Sequence, residues 1–190
     1  MSIRRNLTAA IALKQQILAD DEMLALIETI SAAVVTAYRN GKKVFFCGNG
    51  GSAADAQHLA AELSGRYYYD RPPLFAEALH VNTSYLTAVA NDYAFEDIYS
   101  RWLTAIGQPG DVLFALSTSG NSPNVVKAVE QANLNQMVTI GFSGATGGQL
   151  ASLCDHTLRI PSTDTPRIQE AHMLVGHTIC EVVEREIFPR

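Results

Sequence analysis

The sequence predicts an α/β fold of three layers: a central parallel sheet of about five strands between two layers of helices, with a helical extension at the N-terminus. Three observations predict it. Short continuous apolar runs alternate along the chain with longer amphipathic segments. Two of those runs lead straight into glycine- and serine-rich loops that open helices, as parallel strands with helical crossovers do. And 190 residues, 47% hydrophobic and only 17% charged, can bury a full core without disulfide or metal staples.

Residues 1–40 read as helix. Met23, Ile27, Ile30, Val34 and Tyr38 recur at helical spacing on one face. Leu7, Ile11 and Leu18 suggest an earlier helix whose stripe Lys14 interrupts. Asn40-Gly41 stops the second helix, because glycine ends a helix at little steric cost. Residues 1–40 are therefore expected to be a packing or oligomerisation extension on an α/β domain of residues 41–190, with no internal linker.

Val44-Phe-Phe-Cys47 suits a strand covered on both faces. It runs through Gly48-Asn-Gly-Gly-Ser52 into a helix over about 53–66. Phe75 to His80 predicts a second strand, followed by helices at Tyr85–Ala90 and Ala94–Ile106. Asp111 to Leu116 predicts a third, which enters Ser117-Thr-Ser-Gly-Asn-Ser122 and a helix to about Asn133. Met137–Phe142 and Thr157–Ile160 complete the strands. A last helix covers about Arg167 to Glu186, with Pro166 placed to start it.

Composition removes several function classes. A net charge of −5, from 14 basic and 19 acidic residues, argues against nucleic-acid binding through a broad basic surface. Cys47, Cys154 and Cys180 are odd in number and far apart, without zinc-finger or disulfide-framework spacing. No stretch approaches the roughly 18 apolar residues that span a membrane, and the first residues lack the unbroken apolar core and cleavage site of a leader. The expectation is a cytoplasmic protein with no membrane or nucleic-acid partner. The apolar content is too high for a disordered chain.

The chemistry-bearing residues cluster after strands, where an open α/β sheet binds ligands. Gly48 to Ser52 allows close backbone approach, and a helix N-terminus offers unpaired N–H groups to an anion. Ser117, Thr118, Ser119 and Ser122 put four hydroxyls in six residues at a second helix N-terminus, a phosphate cradle. Ser122-Pro123 also reads as plain capping chemistry. Residues 48–53 satisfy G-x-G-x-x-A, but the second strand ends Ala78-Leu-His-Val-Asn82 without the carboxylate a dinucleotide site needs. His58 and Glu62, four apart, share a helix face, and the last helix carries Gln169, His172 and His177. Such a set suits a divalent metal or acid–base work, while a His/Glu pair alone equally suits a solvated surface. Gln169 and His177 stand about 12 Å apart along a helix axis, so one ion reaches both only from midway. Asn91-Asp92 reads as a cap or a ligand contact. Cys47 reads as a buried small hydrophobe, His80 and His156 as structural, and Tyr67-Tyr-Tyr69 as packing or a subunit contact.

Taken together, Cys47-Gly-Asn-Gly-Gly-Ser52, Asp55-Ala-Gln-His58 with Glu62, Ala90-Asn-Asp92, Gly110-Asp-Val-Leu113, Ser117-Thr-Ser-Gly-Asn-Ser122 and Arg167-Ile-Gln-Glu170 with His177 resemble the SIS (sugar isomerase) family, in its heptose-phosphate isomerase branch. The resemblance spans nearly the whole chain in family order. It implies a SIS-type fold and conversion of sedoheptulose 7-phosphate to D-glycero-D-manno-heptose 7-phosphate through an enediol, a step toward ADP-heptose and the lipopolysaccharide core. It implies one zinc per subunit on His58, Glu62, Gln169 and His177, with Glu62 as base and His177 as acid. Substrate contacts map onto Asn49, Gly50, Gly51, Ser52, Glu62, Asn91, Asp92, Ser117, Thr118, Ser119, Ser122 and Gln169. It also implies a homotetramer with sites at subunit interfaces. Some members carry Asp where this chain has Pro166, with Asp164 two residues earlier, so a carboxylate role there is not carried over. Two alternatives stay open: another sugar-phosphate isomerase, and a non-catalytic paralogue that associates with a replication initiator. The paralogues tend to lose the carboxylate at Glu62 and the serine at Ser119, and this chain keeps both.

Overall fold

The computed structural model describes residues 2–190. Two helices lead, α1 (Ser2–Leu18) and α2 (Asp21–Arg39). Asp20 starts α2 by accepting the Met23 N–H at 2.9 Å, which satisfies one orphan donor of the first turn. The body then alternates β1 (Val44–Gly48), α3 (Gly51–Ser64), β2 (Ala76–Ala78), α4 (Thr83–Asp92), α5 (Ile98–Ile106), β3 (Val112–Leu116), α6 (Pro123–Leu134), β4 (Val138–Ser143), α7 (Leu150–Leu153), β5 (His156–Arg159) and α8 (Thr165–Ile187).

The five strands form one parallel sheet in the order β2-β1-β3-β4-β5. Both faces are covered, which is why the strands read as unbroken apolar runs. Val44, Phe46, Val112, Phe114, Leu116, Ile140 and Phe142 point into a core shared with α1, α2, α3 and α8. The alternate residues Phe45, Cys47, Leu113 and Ala115 point into a second core under α4, α5, α6 and α7. This is the predicted three-layer arrangement.

The strand order places the ligand-binding end. The chain leaves β1 through α3 on one face and β3 through α6 on the other, and β1 and β3 are neighbours with Gly48 opposite Leu116. A crevice opens where two adjacent strands send their connections to opposite faces. Both candidate loops, 48–52 and 117–122, begin at that crevice.

A buried ion pair ties the two helices that frame the site. The Arg71 guanidinium donates to Glu184 at 3.0 Å, and both side chains are within 2% of full burial. Arg71 also donates to the carbonyls of Glu62, Leu63, Gly65 and Pro72, while Glu184 accepts the backbone N–H groups of Tyr67 and Tyr68. Burial opposes the charge on Glu184, but those N–H donors and the guanidinium outweigh it and hold the carboxyl below its ordinary range. The last turn of α3 is thus fastened to α8, and the Tyr67–Tyr69 segment is fastened with it, the packing role expected of that tract.

The structure corrects four expectations in detail. In α1 the buried residues are Leu13 and Ile17; Ile3, Leu7, Ile11 and Leu18 lie exposed. The stripe read from sequence is real in spacing but faces away from this chain's core. β2 is three residues rather than six, because it is an edge strand paired only to β1 and Phe75 is half exposed. The helix expected over 94–106 begins as a 3-10 turn at Phe95–Asp97. α7, a single turn entered from Gly147-Gly148, was not foreseen. The three thiols are free. Burial pushes Cys47 far up and Cys154 and Cys180 up to about 12, so none is a nucleophile at neutral pH.

Candidate active site

The first loop turns directly off the end of β1. Ser52, Ala53 and Ala54 donate their N–H groups back to the carbonyls of Asn49 and Gly50, which closes the first turn of α3. Ser52 is buried, Asn49 half-buried, and Gly50 and Gly51 exposed. Gly51 lets the Gln169 amide of α8 approach closely, since a Cβ there would sit 2.6 Å from it and push that side chain aside. Gln169 in turn reaches Ser52 Oγ at 3.5 Å.

The second loop is a knot of hydroxyls. Ser117 Oγ lies 2.9 Å from Ser122 Oγ and 3.4 Å from Ser119 Oγ. Ser122 occupies the cap position of α6, as its sequence predicts, yet its hydroxyl makes no capping bond. It faces Ser117 instead: Pro123 starts the helix, and the hydroxyl belongs to the serine cluster rather than to the cap. Thr118 is half-buried, and its carbonyl accepts the Gly144 N–H. Gly120 holds φ +68°, and a Cβ there would come within 2.0 Å of the Gly147 carbonyl oxygen. Only glycine lets this loop pack against the one after β4.

Beside these loops, α3 and α8 bring three side chains together. His58 Nε2 lies 3.0 Å from Glu62 Oε1 and 3.1 Å from His177 Nε2. One ligand atom from each residue falls within 4.8 Å of the others. Two imidazole nitrogens facing each other and a carboxylate oxygen form a donor set that fits a divalent cation, zinc included. Burial lowers the proton affinity of His177, the His58 charge lowers it further, and Glu62 opposes both. The neutral imidazole a ligand or acid–base group needs is favoured. The Tyr67 ring flanks His177 at 5.8 Å between centroids. Half of the His58 side chain and a quarter of Glu62 remain exposed, so the cluster is open on one side in a single chain.

Three of the four expected metal ligands therefore converge. Gln169, more than two turns from His177 on α8, is placed against Gly51 and Ser52 instead, in line with the separation of about 12 Å along the helix. Asn91 and Asp92 end α4, exposed, and hydrogen-bond each other at 2.8 Å; among the described residues neither bonds to the loops. His172 is fully buried, with Nε2 3.2 Å from the Ser143 carbonyl and Nδ1 unpartnered, so it lies in the core and not in the cluster.

Sequence reasoning passed over Asp55, Tyr99 and Asn124 as site residues. Asp55, one turn before His58, has a buried oxygen without a partner, and burial pushes its pKa up to about 6 against the pull of His58. Tyr99 donates to the Gly48 carbonyl at 2.5 Å. Asn124 pairs with Asn49. Tyr99 and Asn124 sit in helices that read as ordinary packing, and only the fold brings them to loop 48–52.

A sequence profile of the SIS domain matches residues 7–144. The chain belongs to the SIS domain family. It is 48% identical over 186 residues to the phosphoheptose isomerase of Aneurinibacillus thermoaerophilus, covering 98% of this chain and 94% of that protein. With the phosphoheptose isomerase of Rhodospirillum rubrum it shares 61% identity over 155 residues, 81% of this chain and 82% of the relative. Among solved structures, the phosphoheptose isomerase from Neisseria gonorrhoeae superposes with a TM-score of 0.90 at 38% identity, over 96% of this chain and 97% of that one. The fold reading and the family resemblance hold together across the full length.

Proposed function

We propose that this SIS-family chain is a phosphoheptose isomerase, interconverting sedoheptulose 7-phosphate and D-glycero-D-manno-heptose 7-phosphate on the route to ADP-heptose and lipopolysaccharide core. The observation that carries the reading is the convergence of His58, Glu62 and His177 beside two phosphate-suited loops at the sheet's switch point, in a chain about half identical to named phosphoheptose isomerases. Retention of Glu62 within that cluster disfavours a non-catalytic role.

An aldose–ketose isomerase moves one proton between C1 and C2. Glu62 removes it from C1 and returns it to C2. His177 donates a proton to the C2 oxygen as the enediol forms and accepts the one leaving the C1 oxygen. The hydroxyls of Ser117, Ser119 and Ser122, with Thr118 and Ser52, hold the phosphate and so place the reacting carbons. Asn49, Gly50, Gly51, Asn91, Asp92 and Gln169 supply the remaining sugar contacts. His58, Glu62 and His177 would hold one zinc per subunit, with Gln169 joining them once its side chain leaves Gly51 and Ser52, and the ion's charge would stabilise the enediolate oxygens.

We further infer a homotetramer, with residues 1–40 as its assembling extension on the 41–190 domain. The exposed stripe Ile3, Leu7, Ile11 and Leu18 supports this. So does an apolar groove of about 680 Å³ between α1, α2 and α8, lined by Ile17, Leu24, Ile27, Val35, Leu174 and Val182. A partner over the open side of the cluster would shut water out of the enediol step. Three free cysteines suit a reducing compartment, the cytoplasm.

The test incubates metal-loaded protein with sedoheptulose 7-phosphate, a chelated sample alongside, and pentose and hexose phosphates in parallel. Aldoheptose 7-phosphate formed and lost on chelation is the expected result. No product from folded, metal-replete protein overturns the isomerase reading, and faster turnover of a shorter sugar phosphate reassigns the substrate.

A further inference from the structure

Asn124 is the second residue of α6 and is 1% exposed. Its side chain and that of Asn49 form a head-to-tail amide pair. Asn124 Nδ2 donates to Asn49 Oδ1 at 2.8 Å, and Asn49 Nδ2 donates to Asn124 Oδ1 at 2.8 Å. Asn124 Oδ1 also accepts the Val125 N–H at 3.0 Å, which fixes the amide's orientation on the helix. The pair bridges the crevice. Asn49 belongs to the loop after β1, and Asn124 follows the serine loop after β3. On its other side the first loop is pinned by Tyr99, whose hydroxyl donates to the Gly48 carbonyl at 2.5 Å.

A phosphorylated sugar turned over here must touch both loops at once, its phosphate on the serines and its reacting carbons toward Glu62. The distance between the loops is then part of the recognition. An amide has two N–H groups and two carbonyl lone pairs, so Asn49, with one of each spent on Asn124, keeps one of each for a ligand. Two parallel hydrogen bonds in a part-buried pair also set an angle as well as a distance.

We propose that Asn124 is a positioning residue, holding through Asn49 the two ligand loops at the spacing that a long-chain sugar phosphate bridges. This rests on the isomerase reading above. Asn124 touches neither the serine hydroxyls nor the His58–Glu62–His177 cluster in the hydrogen-bond network, so it acts through the loop and not on the substrate.

The experiment compares wild type with Asn124→Ala, measuring KM and kcat for sedoheptulose 7-phosphate and the inhibition constant of inorganic phosphate. KM and the inhibition constant do not depend on the fraction of protein folded. In the variant KM should rise about tenfold and kcat fall about tenfold, the order expected when reacting groups shift by a fraction of an ångström. Inorganic phosphate draws four of its five hydroxyl partners (Ser117, Thr118, Ser119 and Ser122) from the serine loop and does not span to Glu62, so its inhibition constant should rise by less than about threefold, well short of the change in KM. An unchanged KM with lower yield or melting temperature would make Asn124 merely structural and overturn the proposal. A parallel rise in both constants would place the damage in the serine loop and overturn it as well. Asn124→Asp keeps the shape and the acceptor but replaces the donor with a second acceptor; it should raise KM about threefold, and an unchanged KM there counts against the proposal even if the alanine variant does not fold. Wild type inactive on the heptose would overturn the isomerase reading itself, an outcome distinct from an active wild type matched by its variants.

Discussion

Arg71→Met should be among the most destabilising single changes in the chain outside the strands. The side chain is 2% exposed and its Glu184 partner 1%. Methionine fills much of the volume but leaves Glu184 charged, buried and short of its guanidinium, and strips donors from the carbonyls of Glu62, Leu63, Gly65 and Pro72. Breaking a buried ion pair from one side costs about 3–5 kcal/mol. In a chain of this size each kcal/mol lowers the melting temperature by about 2–4 °C, so the loss should be about 6–20 °C. The control is Arg39→Met. Arg39 meets Glu186 at the same 3.0 Å, but the two side chains are 59% and 57% exposed, and a surface pair contributes below about 1 kcal/mol. Thermal unfolding followed by circular dichroism, at matched protein concentration and metal loading, reads both. If Arg71→Met melts within about 3 °C of wild type, or no lower than Arg39→Met, the claim that this pair fastens α3 to α8 is wrong.

Three other outcomes are expected. Glu62→Gln should reduce kcat by about 10²–10⁴-fold with an unchanged circular dichroism spectrum; full activity would remove Glu62 from the proton transfer. Burial holds the His172 pKa down to about 4 against an unfolded value near 6.5, since a proton on Nδ1 finds no acceptor, although the Ser143 carbonyl contact opposes the shift. The unfolded chain therefore takes up that proton first as pH drops, and about 3 kcal/mol of stability should be lost between pH 6.5 and 4. Urea titrations across that window check this, and a His172→Gln variant with the same pH slope would refute it. Gly120→Ala combines a left-handed φ with a clash against the Gly147 carbonyl, so it should cost about 2–4 kcal/mol and raise the inhibition constant of inorganic phosphate. Wild-type behaviour in both measurements would mean that the loop relaxes freely.

What the sequence disclosed follows from which forces act locally. β1, β3 and β4 were legible because burial on both faces makes nearly every residue apolar, whichever way it points; the buried Thr139 and Ser143 of β4 are the exceptions. β2 was overread because it pairs with β1 only from Val44 to Phe46 and the chain then turns at Leu79-His80, which neither Phe75 nor His80 encodes. The residues of α1 that pack inward, Leu13 and Ile17, carry less of the periodic signal than Leu7, Ile11 and Leu18, which lie exposed on this chain. At the site, the His58–Glu62 spacing was readable from one helix. That His177 joins them came from the family resemblance, because α3 and α8 are more than a hundred residues apart and meet only through packing. The Arg71–Glu184 clamp and the Asn49–Asn124 pair have no local pattern at all; each is a contact between segments that only the sheet order makes neighbours.

The shielded thiols give the molecule an internal clock for opening. Cys47 lies on the interior strand β1, Cys180 on α8 one turn after His177, and Cys154 at the end of α7. Burial suppresses thiolate formation at each position, with Cys47 and Cys180 enclosed and Cys154 half-buried, so an alkylating reagent reaches Cys154 with the least opening and the other two only when their neighbourhood leaves the native packing. Because the three report from the sheet, the site-bearing helix and the end of α7, the order in which they become labelled distinguishes fraying of that end from separation of the helical layer and from collapse of the sheet. In a protein with one tryptophan, this offers spatial resolution that fluorescence would not.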